Sequence, residues 1–221
     1  MDVAAVQRQL EDAAAGPRAA RERLAEEHGV PALTDALARE PGALQRAQLA
    51  ERRLQVVVDV LAAPAAQELE RVRRAVRALG WPSARALHTA LGTDVAALEG
   101  WAAQTLQGPP PRLGEVDAAH DLPRLRAAAA GTTDAAARDA LARLDARLAA
   151  AAVLHDLELL EHGPVEPLRD RYARRMAHAS GLDWPAAAWL VDGDPLLGSA
   201  AYASALSTAA STDLRLALRF S

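Results

Sequence analysis

Residues 141–163 read LARLDARLAAAAVLHDLELLEHG. Within them Ala142–Gly163 reads as one helix. Leu141, Leu144, Leu148, Ala151, His155, Glu158 and His162 step by three, four, three, four, which keeps all seven side chains on one helix face. The first half of this stripe is apolar and belongs to a core. The second half carries two imidazoles and a carboxylate along the same line, into the core or a cleft, where each needs a partner. The stretch therefore points to helices packed on helices, and it holds the strongest candidate site in the chain.

Helical periodicity continues on both sides, and no stretch alternates as a strand would. Upstream, Thr132, Thr133 or Asp134 caps the long helix. Val3, Val6 and Leu10 open a first helix that Gly16-Pro17 is expected to end. Arg18–His28 follows, then a short helix from Pro31 to Glu40. A long helix spans about Ala43–Ala63, and Pro64 opens another that Gly80 stops. Pro82–Leu91, Thr93–Gln107 and an irregular stretch over Glu115–Ala130 come next. Downstream, Gly163-Pro164 ends the long helix. Pro167–Ala179, a short piece near Trp184–Val191, and Leu196–Arg219 complete the set. The expectation is an all-α fold of nine to ten helices forming a two-lobed helical body. Residues 1–221 make a single helical domain, with a lobe boundary near 108–114, at Gly108 and the triproline Pro109–Pro111. The lobes would be 1–107 and 115–221.

Composition narrows the function. Half of the chain is hydrophobic by residue type (51%), with only 3% aromatic. Alanine dominates, so faces pack closely and bury little area per residue. The net charge of -4 invites neither nucleic acid nor an anionic membrane surface. All 25 basic residues are Arg. The absence of Lys excludes Schiff-base chemistry and a P-loop lysine on this chain. The absence of Cys excludes thiol nucleophiles, disulfides and thiolate metal sites. Met1-Asp2-Val3 opens directly into an amphipathic pattern, without a signal-type apolar run or a membrane span. A cytoplasmic bacterial protein is expected.

Three chemistries compete for the His155–Glu158–His162 triple. The first is metal chelation. His155 with Glu158, or Glu158 with His162, sits one turn apart, but the two His lie about 10 Å apart along the axis at 1.5 Å per residue. One zinc with bonds near 2 Å cannot take both from a straight helix. No HExxH and no Glu-x-x-His motif occurs, so no metal and no cofactor is expected. The second is a polar seam, in which His and Glu pair with Arg from a neighbouring helix. The third is a substrate-binding or acid–base cleft, for which neutral His and ionised Glu suit proton transfer near pH 7.

Further residues carry a resemblance. Leu154-His155-Asp156-Leu157-Glu158-Leu159, Leu168-Arg169-Asp170-Arg171-Tyr172-Ala173, Ser180-Gly181, Trp189-Leu190-Val191-Asp192, Asp194-Pro195 and Tyr202 resemble, in order, the C-terminal helices of M3-like (thimet oligopeptidase-type) zinc metallopeptidases. Arg77-Ala78-Leu79-Gly80-Trp81-Pro82-Ser83 and Asp121-Leu122-Pro123-Arg124 resemble two earlier segments of that family. The resemblance touches about half of the chain. It implies a helical cleft wall and two tyrosines after the Asp-Pro loop, one of which helps to stabilise an oxyanion and the second of which matches Tyr202. The family's zinc helix would fall between Asp121 and His155. Only about thirty residues separate these two, without a His or Glu among them. Of the family's two tyrosines after the Asp-Pro loop, the first falls on Gly198. The chain is therefore not expected to be a zinc peptidase.

Two functions are expected from this. One is a metal-independent enzyme or enzyme subunit that binds a small amino-acid-derived or peptide-like substrate, with elimination or ring closure in specialised metabolite biosynthesis as a conceivable reaction. His155, Glu158 and Tyr202 would be catalytic, and His162, Tyr172 and Arg171 would bind substrate. The other is a non-catalytic binding or assembly subunit in which the same residues are structural or touch a partner. In both, the missing segment would leave apolar surface exposed, and a second protein chain would complete the cleft. Asp192 and Asp194 around Gly193 are explained by turn chemistry. His88, His120 and His178 are expected at the surface or in ordinary core.

Overall fold

The computed structural model describes residues 2–112, 119–199 and 203. Among them the fold is all-α, without a β-sheet. The helices are α1 (Val3–Glu27), α2 (Val30–Arg39), α3 (Ala43–Val56), α4 (Ala62–Ala78), α5 (Ala84–Ala90), α6 (Val95–Thr105), α7 (Leu122–Ala130), α8 (Ala135–His162) and α9 (Glu166–Ser180), with 3-10 turns at Ala119–Asp121 and Ala186–Ala188. Since α3 and α4 form one continuous rod, these are eight helices in practice, slightly fewer than the nine to ten expected. The expected helix Leu196–Arg219 lies almost wholly outside the described residues. No described helix is long and apolar enough to cross a membrane.

Two prolines that were expected to mark helix boundaries do not, Pro17 as the end of one helix and Pro64 as the start of another. α1 runs unbroken through Gly16-Pro17. A residue before proline is pushed out of the helical region mainly by its own Cβ, which Gly16 lacks. The gain is a long contact with α4, for which Val6, Leu10, Ala14 and Pro17 form the buried edge. A Cβ on residue 16 would also sit 3.3 Å from the Arg71 guanidinium on α4. At Pro64 the rod likewise continues. In a regular helix the Pro64 ring would strike the Val60 carbonyl, which would also lack its donor. The turn just before it, Val57–Leu61, is widened to π geometry, with the Ala62 N–H bonded back to the Val57 carbonyl. Val57, Leu61, Ala65, Leu69, Val72 and Val76 then line one buried face.

α8 is the central strut. Asp134 caps it, accepting from the Ala136 and Ala137 N–H groups at 2.9 and 3.4 Å, and Gly163 ends it in the left-handed region. From Arg147 to Leu160 it is buried on nearly every side, not along one stripe. Such enclosure suits a helix that is apolar all round, and here α4, α5, α6, α7 and α9 all pack against it. One continuous hydrophobic core reaches from Val6 to Ala203 and draws on both sides of the triproline.

Inside this core Arg147 is only 5% exposed and has no acidic partner among the described residues. Its guanidinium donates to the carbonyls of Ala179 (2.8 Å), His178 (3.1 Å), Thr105 (2.9 Å), Gln107 (3.1 Å) and Gly108 (3.3 Å). These carbonyls belong to the C-terminal ends of α6 and α9 and the turn after α6. Helix C-termini carry unpaired carbonyls and partial negative charge. One cation thus closes two helix ends, although burial still pulls its pKa down.

Candidate functional site

His155, at 1% exposure, is packed in the core. Its Nε2 lies 2.6 Å from the Trp189 carbonyl oxygen, so Nε2 carries the proton and donates. Nδ1 has no partner among the described residues, and the ring stacks at a tilt on Tyr172, centroid to centroid 4.6 Å. Burial lowers its pKa to about 4, and the Trp189 hydrogen bond only partly opposes this. The imidazole is neutral at physiological pH and already occupied.

Glu158, one turn on, is half-buried and paired with α9. Arg175 Nη2 donates to its Oε1 at 2.8 Å, and Arg171 Nη1 stands 3.7 Å away. His162, at the last turn of α8, is exposed, as is Arg171. The stripe therefore does not open into one cleft. It passes from core through a helix–helix ion pair to solvent. Tyr202 lies outside the described residues.

Tyr172 is buried, and its hydroxyl is the hinge of a short network. It donates to the Asp192 carboxylate and accepts from Trp184 Nε1 at 2.7 Å. Burial and the neighbouring Asp192 raise its pKa, so it stays a neutral donor. Asp156, the residue after His155, projects from a different side of α8 and is 0% exposed. It accepts from the Asp194 backbone N–H at 2.8 Å and from the Ser199 hydroxyl. Burial pushes its carboxyl well above the ordinary carboxylate range, while these hydrogen bonds pull it back.

Three residues of α8 and α9 thus pin one loop, 189–199, at Trp189, Asp192, Asp194 and Ser199. The loop closes on itself as well, since the Asp194 carboxylate accepts from the Leu196 and Gly198 N–H groups, both at 2.8 Å. A Cβ on residue 193 would come within 2.5 Å of the Leu159 side-chain methyl, so Leu159 would have to shift to admit any residue but glycine there. Leu197 sits at φ 56, in a region that costs a branched side chain about 1 kcal/mol or more. Buried at 4% exposure, its side chain holds the backbone there.

Two clefts flank this loop. The smaller, about 450 Å³, is lined by Arg18 and Arg21 of α1 and by Asp192, Gly193, Asp194 and Gly198. Both arginines lean on Glu68, a 0% exposed carboxylate of α4. Arg18 reaches its Oε1 at 2.9 Å, and Arg21 reaches Oε2 at 3.3 Å. Two guanidiniums over one buried carboxylate leave net positive charge on the α1 side. Asp192 and Asp194 face it from the loop. Asp192 is hemmed in by protein yet opens to solvent at the cleft; burial raises its pKa, and the Tyr172 hydrogen bond, Arg53 and Arg21 lower it. Asp192 is exposed at the cleft, so water solvates its carboxylate there.

The larger cleft, about 510 Å³, lies on the other flank and is lined by Leu10, Glu11, His88, Leu98, Trp101 and Leu197 among others. Burial keeps His88 below the ordinary His range, against the pull of Asp194. Arg18, Arg21, His88, Asp156 and Asp194 were not singled out as site residues by sequence reasoning. A weak signal existed on α1, where Gln7, Glu11, Ala14, Arg18 and Arg21 recur at four, three, four, three. Among the described residues, no group of three or more His, Asp or Glu side chains converges as metal ligands would. Compared with protein-family models, curated proteins and solved structures, the chain matches none.

Proposed function

We propose that this chain is a binding subunit whose smaller cleft takes the head group of an amino-acid-derived ligand. The observation that carries the reading is charge placement: two guanidiniums on α1 face two carboxylates on the pinned loop across about 450 Å³. A carboxylate fits the planar fork of Arg18 or Arg21. An ammonium group fits between Asp192 and Asp194. A zwitterion satisfies both walls at once, whereas a simple anion or cation leaves one wall unpaired.

The stripe residues enter as support for this cleft. His155 and Tyr172 hold Asp192 and its loop from behind, so they position the site and do not react. Binding is favoured over catalysis because His155 and Glu158 both have internal partners, the Trp189 carbonyl and Arg175, and burial keeps the His155 imidazole neutral. The resemblance to M3-like peptidases agrees with a retained helical cleft wall on a scaffold without the zinc helix. A second protein chain belongs to the same proposal. Native mass spectrometry after co-expression with the products of adjacent genes tests it, and a lone monomer that binds ligand with full affinity removes it.

The binding test is calorimetry of the full chain with L-alanine, propionate and ethylamine. Only the zwitterion should give a saturable isotherm. Asp192→Asn, which keeps the Tyr172 contact but loses the charge, should weaken it by about tenfold, the size of one charge-assisted hydrogen bond. No binding by L-alanine, or equal binding by propionate, contradicts the reading.

A further inference from the structure

The two clefts share a wall. Leu196 lines both, and both lie along one strip of α1. Gln7, Leu10 and Glu11 face the larger cleft, and Arg18 and Arg21 face the smaller. Glu11 and Arg18 are seven residues apart, which is about 10 Å of helix axis. That distance is within reach of a single amino acid with an extended side chain. The two clefts also differ in chemistry. The smaller presents charge and loop backbone. The larger has a floor of Leu10, Leu98 and Leu197, with the Trp101 indole beside them, and lies within the size range of small-molecule pockets.

We propose that the ligand is an α-amino acid with a large apolar side chain. Its head group sits between Arg18 and Asp192, and its side chain crosses Leu196 into the larger cleft against Leu98, Trp101 and Leu197. This rests on the charged-cleft reading above and adds the identity of the side chain. The apolar part leaves water when it enters this floor, and the indole face suits an aromatic ring. Glu11 and Asp94 at the rim of the larger cleft disfavour a second carboxylate there.

The experiment compares L-phenylalanine with L-alanine on the full chain by calorimetry. Phenylalanine should bind roughly tenfold to a hundredfold more tightly, the range expected for burying such a side chain. Ala97→Trp, placed at an exposed position of α6 that lines the larger cleft, should reduce phenylalanine to the level of alanine and leave alanine unchanged. Trp101→Ala should weaken phenylalanine alone, and circular dichroism checks that both variants fold. Equal affinity for the two amino acids overturns the inference while the charged cleft stands. Tighter phenylalanine binding that neither variant alters also overturns it, since the side chain then lies elsewhere. If neither amino acid binds, the charged-cleft reading fails and the inference falls with it.

Discussion

The two halves of α8 bury polar side chains for different ends. Near the middle, Arg147 binds the carbonyl ends of two helices. Just over two turns further on, His155 and Asp156 bind a loop. The first joins rigid elements and leaves no polar group free, so its purpose ends with the fold. The second spends core positions on holding backbone that faces a cleft. Buried polar groups are costly unless satisfied, and here satisfaction by helix ends marks structure while satisfaction by loop backbone marks the neighbourhood of a site.

The largest effect should come from the first half. Arg147→Ala leaves five carbonyls without their donor and should lower stability by about 3–5 kcal/mol, read by urea unfolding. Arg147→Lys should recover only part, since one ammonium cannot span two helix ends. An effect below about 1 kcal/mol would break the comparison at its structural end.

Asp156→Ala comes next. It strips the Asp194 N–H and the Ser199 hydroxyl of an acceptor and should cost about 2 kcal/mol, with faster hydrogen exchange at the 193–199 amides and weaker amino-acid binding. Asp156→Asn keeps one acceptor oxygen and removes a buried charge. It should be milder, and its stability relative to the parent should rise with pH above about 4, where the unfolded carboxyl ionises. The sign follows from the raised folded value of Asp156, which makes its ionised form a burden as pH rises.

His155 gives the opposite slope. Its folded value of about 4 lies below the ordinary value of 6.5. The unfolded chain therefore takes up a proton between those limits while the folded chain does not, and stability falls as pH drops through that window. The loss between pH 6.5 and 5 should be about 1–2 kcal/mol, and His155→Gln should flatten it. An unchanged slope in that variant would mean that the imidazole is not held neutral by the core.

The smallest effects belong to Tyr172 on α9 and to Glu158 on the outer part of the stripe. Tyr172→Phe should cost about 1 kcal/mol of stability yet weaken ligand binding severalfold, because Asp192 loses its anchor. Glu158→Gln should cost less than about 1 kcal/mol, as a half-exposed ion pair does, and should leave binding unchanged. If Glu158→Gln abolishes binding instead, the stripe itself is the site.

Much of the scaffold was legible in the sequence. The cap at Asp134, the stop at Gly163 and the all-α class follow from local rules. Gly16-Pro17 and Pro64 misled because proline was read as a helix boundary, whereas a missing Cβ before it, or a widened turn, lets a helix continue when packing favours it. The stripe drew attention to His155, but a stripe treats a helix as one-sided. α8 is enclosed over most of its length, so Asp156, off the stripe, matters as much. Arg18 and Arg21 meet Asp192 only through the packing of α1 beside the loop, across some 170 residues of chain. No local pattern encodes that meeting. Asp192 and Asp194 were read as turn formers, which describes Asp194 within its loop but omits the cleft they face.

The account turns on whether the loop held by α8 and α9 is a binding surface. The most direct measurement is an NMR titration of the isotopically labelled full chain with L-alanine. The account predicts saturable shifts at the amides of Gly193, Asp194 and Gly198 and at the Arg18 and Arg21 side chains, diminished in Tyr172→Phe. Absence of shifts at these positions, or shifts centred on Glu158 and His162 instead, would contradict it.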